Sequence, residues 1–189
     1  MFVKDQTDPF AQAKILLSEI NGNSELKVAT LAGGCFWCLQ APFEQKPGVV
    51  ATIAGYAGGR RPNPSYEQVN TGVTGHREAV QVFFKPDFIS YREILDIFWL
   101  QIDPTDSGGQ FADRGEQYTT AIFYHSPEQH ADAEASKRKL EDENQSAKPF
   151  VTKVLPFTNF YPAEDYHQQF YKKQPDVYYR YKLLSGRGK

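Results

Sequence analysis

Two glycines, Gly33 and Gly34, separate an apolar run at residues 26–31 from residues 35–45, where large apolar side chains mix with Gln and Glu at helical spacing. Strand, tight turn, helix is the reading. It constrains the fold more than any other feature, because glycine lets the backbone turn sharply at that one point. Four further strands are expected at residues 49–54, 78–84, 118–124 and 152–155. Helices lie between them. Ser90 and Glu93 form a capping box ahead of an apolar stripe made by Ile94, Leu95, Phe98, Trp99 and Ile102. Ser126, Pro127 and Gln129 open another helix, whose later part, residues 136–143, is charged enough to be a solvated surface.

These elements describe an α+β fold, a two-layer sandwich in which a mixed β-sheet is packed by helices, with a ferredoxin-like core and long loops. Residues 1–24 read as an N-terminal extension, with a modest helical pattern at 10–20 and a polar connection after it. Residues 25–184 read as a single catalytic domain and 185–189 as a disordered tail, small and basic in composition. Two long segments lack a strong period, 55–76 and 103–117, and ordered loops of that length are often functional.

Composition removes several classes. A chain of 189 residues, 40% apolar and 14% aromatic, buries one substantial core. Charge is nearly balanced, 21 basic against 23 acidic residues, and no basic stripe follows a phosphate backbone, so no nucleic acid partner is expected. The apolar runs have the length of strands, well short of the roughly 20 residues that span a bilayer, so no membrane is expected. The first residues carry Lys4, Asp5 and Asp8 ahead of Pro9 and do not read as a secretory segment, which places the chain in the cytoplasm.

The two cysteines, Cys35 and Cys38, are too few and too close to staple a fold, so their role is chemical. Cys35 sits where a strand turns into a helix, and the unpaired N–H groups and dipole there favour its thiolate. Phe36 and Trp37 put two rings beside the sulfur, where a small apolar group fits. A free cysteine is as readily a small buried hydrophobe, and a Cys-x-x-Cys pair can form a disulfide, ligate metal or exchange thiols. Zinc needs two more ligands, whereas His76, His125, His130 and His167 form no second cluster and only His125 and His130 approach ligand spacing. A thioredoxin-like motif usually carries Gly-Pro where this chain has Phe36-Trp37.

In order along the chain stand Gly34-Cys35-Phe36-Trp37, Pro47-Gly48-Val49, Gly55-Tyr56-Ala57-Gly58-Gly59, Pro62-Asn63-Pro64-Ser65-Tyr66-Glu67-Gln68-Val69, Thr74-Gly75-His76 and Glu78-Ala79-Val80. Asp103-Pro104-Thr105, Gln117-Tyr118, Ala121-Ile122 and Tyr161-Pro162-Ala163-Glu164-Asp165-Tyr166-His167-Gln168 follow. Over about residues 28–170 the sequence resembles the A-type peptide methionine sulfoxide reductases. The chain departs from that pattern at Gln40, where the family commonly has Glu, and at Ile102 and residues 108–114, a stretch that would line the mouth of the site and bear on substrate range.

The resemblance implies reduction of methionine S-sulfoxide, free or in proteins, as repair after oxidative damage. Cys35 would attack the sulfoxide sulfur, and Glu78, kept protonated by an apolar setting, would donate a proton to the oxygen. Tyr66 and Tyr118 match two tyrosines that hydrogen-bond that oxygen, and Asp113 matches an acid that organises the site through water. Phe36 and Trp37 would hold the methyl group. Cys35 would become a sulfenic acid, resolved by Cys38 as a disulfide and recycled by thioredoxin. No metal or cofactor is implied, only an external thiol reductant. Thioredoxin and oxidised proteins or peptides are the implied partners of a monomer.

Outside the resemblance each residue has a plainer reading. Among 11 tyrosines, one is ordinarily core or rim; a Glu is ordinarily solvated; Asp113 in a polar loop is ordinarily a turn former. Cys38 can simply pack on its helix while an external thiol resolves Cys35. His76 reads as a structural brace, since the chemistry needs no base there. Two rivals remain: a disulfide oxidoreductase with no need for Glu78, and a module that binds a Met side chain without chemistry and survives loss of Cys35.

Overall fold

All eight residues of strand β3, Arg77–Phe84, are buried, because the strand lies inside a six-stranded sheet covered on both faces. The structure, a computed structural model, describes residues 8–20, 22–144 and 148–187. On one side β3 pairs antiparallel with β1, Lys27–Ala32, and on the other with β2, Val49–Ala57. Beyond β1 come β6, Ala121–Tyr124, antiparallel, and β7, Lys153–Pro156, parallel to β6. Beyond β2 comes β8, Phe160–Pro162, antiparallel. The mixed sheet therefore runs β7-β6-β1-β3-β2-β8.

Strand alternation sorts β3 into two sets. Val80, Val82 and Phe84 face the helix layer with Ala29 and Leu31 of β1 and Ala54 and Tyr56 of β2. That layer is built from α2, Phe36–Glu44; α4, Tyr91–Trp99; and α5, Pro127–Glu143. They deliver Leu39, Phe43, Ile94, Leu95, Phe98 and Ala133 to the same core. Glu78 belongs to this set by parity, so the sheet itself aims a carboxyl into an apolar layer. Ala79 and Phe83 take the opposite face, where α1, Ala11–Ile20, packs Ala13 and Ile20 against Ile53 and Phe83.

The stretch expected to be an extension is thus part of the fold where it is described, since the second face of β2 and β3 would otherwise expose apolar side chains. Residues 1–7 lie outside the described residues. The tail is corrected likewise: Ser185 is buried and the Arg187 side chain is inserted into the body, while 188–189 lie outside the described residues. The strand expected at 118–124 begins only at Ala121. Tyr118 belongs to a 3-10 turn, Glu116–Tyr118, whose end is closed by the N–H of Tyr118 on the Gly115 carbonyl.

The two long loops carry structure of their own. One holds α3, Tyr66–Asn70, opened by a capping box of Ser65 and Gln68. The other holds a two-stranded hairpin, β4, Gly109–Gln110, with β5, Asp113–Arg114. Two helices beyond the expected set close the chain, α6, Phe170–Lys173, and α7, Pro175–Leu184.

Gln168 ties the segment before α6 to the sheet as a strand would. Its Oε1 accepts the Ala54 N–H at 2.9 Å, and its Nε2 donates to the carbonyls of Ala54 at 2.8 Å and Ala163 at 2.9 Å. A Gln168→Leu change keeps the volume but takes the partner from the Ala54 N–H and the Ala163 carbonyl, each costing about 1–3 kcal/mol, while the Ala54 carbonyl keeps the Ala163 N–H at 2.9 Å. We expect urea denaturation to show a loss of about 2 kcal/mol or more, by the same principle.

Candidate active site

Cys35 is the N-cap of α2, with φ −54° and ψ 119°, and its side chain caps no backbone group. Gly34 precedes it at φ +81°, a conformation that disfavours any side chain, and a Cβ there would lie 2.2 Å from Arg187 Nη2 and 2.6 Å from Gln110 Cβ. The turn is therefore glycine for two reasons, backbone and space.

Three N–H groups of the helix start are already engaged. Phe36 N–H donates to Glu78 Oε2 at 3.0 Å, and the N–H groups of Cys38 and Leu39 return to the Cys35 carbonyl at 3.1 and 3.3 Å. Cys35 is only 6% exposed, and burial pushes its thiol well above the ordinary range, with the neighbouring Cys38 thiol adding to the shift. Burial here opposes the thiolate that the helix start favours. Desolvation outweighs the helix terminus, whose first donor is spent on a carboxyl.

Glu78 is 3% exposed. Burial first, then proximity to Cys35, holds its carboxyl well above the ordinary 4.5, against the pull of the Phe36 N–H and of Arg187. A thiolate and a carboxylate that share a buried site repel, so the nearness of Cys35 adds to the upward shift of Glu78.

Tyr66 is the first residue of α3, and Glu164 fixes it there. One carboxylate oxygen accepts the Tyr66 N–H at 2.9 Å and the other accepts the Tyr56 hydroxyl at 2.8 Å. Tyr118 reaches the same place from its 3-10 turn, donating to Asn70 Oδ1 at 3.3 Å and standing close enough to Tyr66 to shift its pKa. Both phenols are pushed up, chiefly by burial and then by Glu78, and both stand close enough to feel Cys35 and Asp113. Two phenols and a neutral carboxyl around one thiol can donate hydrogen bonds, and a proton, to an oxygen bound among them.

Trp37 stacks on Phe170, with ring centroids 3.8 Å apart and planes 7° from parallel. Its Nε1 donates to His167 Nδ1 at 3.0 Å, and because an indole only donates, the imidazole must carry its proton on Nε2. Burial pulls the His167 pKa down to about 4, so the ring is neutral at physiological pH. It fills the space between Phe36, Trp37 and Tyr66, at centroid distances of 5.0, 5.7 and 4.5 Å. Asp113, on β5, accepts a hydrogen bond from the Tyr181 hydroxyl and lies 3.8 Å from Arg187.

The structure thus brings together Cys35, Phe36, Trp37, Cys38, Tyr66, Glu78, Asp113 and Tyr118. Sequence reasoning missed His167, Glu164, Tyr181 and Arg187. His167 and Glu164 were legible in the block 161–168, but His167 was weighed only as a metal ligand and Arg187 was assigned to the tail. His76 stands apart as a brace, its Nδ1 accepting the Gly59 N–H at 3.1 Å and its Nε2 on the Arg61 carbonyl at 2.8 Å. Gln40, the departure in α2, is buried and spans the Thr52 carbonyl and the Gln169 N–H, a bridge that needs both a donor and an acceptor.

A family model described as peptide methionine sulfoxide reductase matches residues 27–189. The chain belongs to that family. The peptide methionine sulfoxide reductase MsrA of Bacillus velezensis is 55% identical over 161 residues, which cover 85% of this chain and 91% of that relative. Among solved structures, reduced Mxr1 from Saccharomyces cerevisiae superposes with a TM-score of 0.76 at 33% identity, covering 81% of this chain and 88% of that one. Methionine sulfoxide reductase A of Corynebacterium diphtheriae gives 0.73 at 32%, covering 82% and 77%. The chain is a peptide-methionine (S)-S-oxide reductase on an α+β fold.

Among the described residues of this reductase no group of three or more His, Cys, Asp or Glu could hold a metal ion, and no helix is long and apolar enough to cross a membrane.

The Glu78 shift has a stability consequence. Because its folded value is raised, the folded state holds a proton that the unfolded state loses above about 4.5, so the contribution present below that pH is lost as pH rises through the shifted value. Melting temperatures measured from pH 4 upward are expected to fall less steeply for Glu78→Gln, which stays neutral throughout; equal slopes would show Glu78 ionised in the fold.

Proposed function

We propose that the reductase works through Cys35 as nucleophile and Glu78 as proton donor. The observation that carries this reading is the buried Glu78 carboxyl, held by burial well above the ordinary carboxylate range and fixed by the Phe36 N–H at the base of the helix that presents Cys35. Sulfur attack and oxygen departure from a sulfoxide need an acid beside a nucleophile, and an ordinary surface Glu would be ionised at neutral pH.

The substrate is methionine S-sulfoxide, free or in an oxidised peptide or protein. Its methyl group lies against Phe36 and Trp37, and its oxygen meets Glu78, Tyr66 and Tyr118, with Asp113 ordering the polar side. Cys35 attacks the sulfur as the Glu78 proton passes to the oxygen, and the thiol proton replaces it on the carboxylate. Oxygen ends on Cys35 as a sulfenic acid, and methionine leaves. The Cys38 thiol then attacks Cys35, giving a Cys35–Cys38 disulfide and water. A dithiol returns both cysteines to thiols and is itself oxidised to a disulfide.

Adjacency supports Cys38 as the resolving thiol, since it lies one helical turn after Cys35, the N-cap of the same helix, and each thiol shifts the other's pKa. For the reductant, yeast Mxr1 has been captured in complex with Trx2, which supports thioredoxin here. No step calls for a metal or organic cofactor. The reading is completed by a single catalytic domain, active as a cytoplasmic monomer in repair of oxidised proteins.

Racemic N-blocked methionine sulfoxide with dithiothreitol tests the reaction. We expect consumption of the S epimer alone by the native protein and none by Cys35→Ser; consumption of neither would bring disulfide exchange forward. Cys38→Ser should still form one equivalent of methionine per enzyme while losing thioredoxin-driven turnover. Full turnover without Cys38 would overturn its role.

A further inference from the structure

The segment beyond α7 folds back over the Cys35 turn and delivers a cation to it. Ser185 is buried, Gly186 turns at φ +88°, and the Arg187 side chain is only 4% exposed. Its Nη2 donates to the Gly33 carbonyl at 3.1 Å and its Nη1 to the Gln101 carbonyl at 3.2 Å. The guanidinium lies 4.7 Å over the Phe111 ring and 3.8 Å from Asp113 Oδ2. A buried cation is costly even when paired, and among the described residues Arg187 Nε has no hydrogen-bond partner. An apolar side chain would cover the same turn at less cost.

We propose that Arg187 is a positioning residue for the thiol chemistry, its guanidinium pinning the Gly33–Gly34 turn and supplying counter-charge to the buried cysteine pair. The inference rests on the reaction proposed above, in which each stage puts an anion there: Cys35 as it attacks, Cys38 as it closes the disulfide, and one of the two as the disulfide is reopened.

The other groups facing the pair cannot do this alone. Asp113 from β5 opposes a thiolate at either cysteine, and Glu78 from β3 and a Cys35 thiolate repel each other when both are ionised. Tyr66, Tyr118, Tyr178 and Tyr181 bring dipoles but no positive charge. On α7, Lys182 favours the Cys38 anion, but Arg187 favours it more strongly and also favours ionised Glu78. The planar fork matters as well. It holds carbonyls from two separate segments while facing a carboxylate, which a lysine point charge would not reproduce.

The test uses full-length protein in a Cys35→Ser background, so that Cys38 titrates alone and no sulfoxide turnover is needed. Alkylation of Cys38 by iodoacetamide is followed against pH. Arg187→Gln and Arg187→Met should move the midpoint up by about one unit, which at neutral pH is about tenfold slower reaction; Arg187→Lys should recover most of the shift. Faster alkylation at every pH with an unmoved midpoint would mean that Arg187 only closes the site, and it would overturn the proposal. With Cys35 restored, disulfide closure after one turnover should slow by a similar factor at neutral pH. If wild type forms no methionine while the Cys38 midpoint still moves, the proposed reaction fails and the charge effect stands.

Discussion

The hydrogen bond from Phe36 N–H to Glu78 Oε2 joins the first residue of a helix to the central strand of the sheet, and the active site is arranged around it. It spends the donor that would otherwise stabilise a Cys35 thiolate, and it fixes the carboxyl at the depth where burial keeps it protonated. Both effects follow from one strand register. Glu78 shares the parity of Val80, Val82 and Phe84, so the carboxyl points where the fold has least water. A change of one residue in register would put it on the other face and leave the site without an acid.

The side chains around this pair are held by groups that take no part in chemistry. Glu164 anchors the backbone of Tyr66, His167 orients the indole of Trp37, and Gln168 fastens the segment carrying both to β2. Each of these three is buried and polar, and each satisfies a partner that would otherwise be costly in the core. Their cluster within five residues explains why so short a segment positions two walls of the site.

Both cysteines are nearly sealed, Cys38 at 4% exposure under Tyr178 and Tyr181 of α7. A methyl sulfoxide is small enough to be handled in such a closed setting, whereas a protein dithiol has to reach sulfur. The same helix and the tail after it therefore stand over both cysteines. A site kept dry in this way strengthens every electrostatic interaction inside it.

Much of this was written in the sequence. The Gly33–Gly34 turn, the capping box at Ser90 and Glu93, and the alternation in β3 are local patterns, and local patterns are set by backbone sterics and by which side of an element is apolar. The motif blocks added the identities of Cys35, Tyr66, Glu78 and Tyr118. Tertiary structure alone decided the rest. Whether Cys35 rests as thiol or thiolate depends on desolvation by residues far along the chain, and helix position by itself suggested the opposite answer. Tyr118 looked like strand because it leads into the β-branched and apolar run at residues 119–124, but the turn beginning at Gly115 displaced it. The sharpest case is Arg187, which composition assigned to a loose tail. A basic residue near a chain end reads as solvated unless carbonyls and a carboxylate wait for it, and Gly33, Gln101 and Asp113 meet at that point only once the chain has folded.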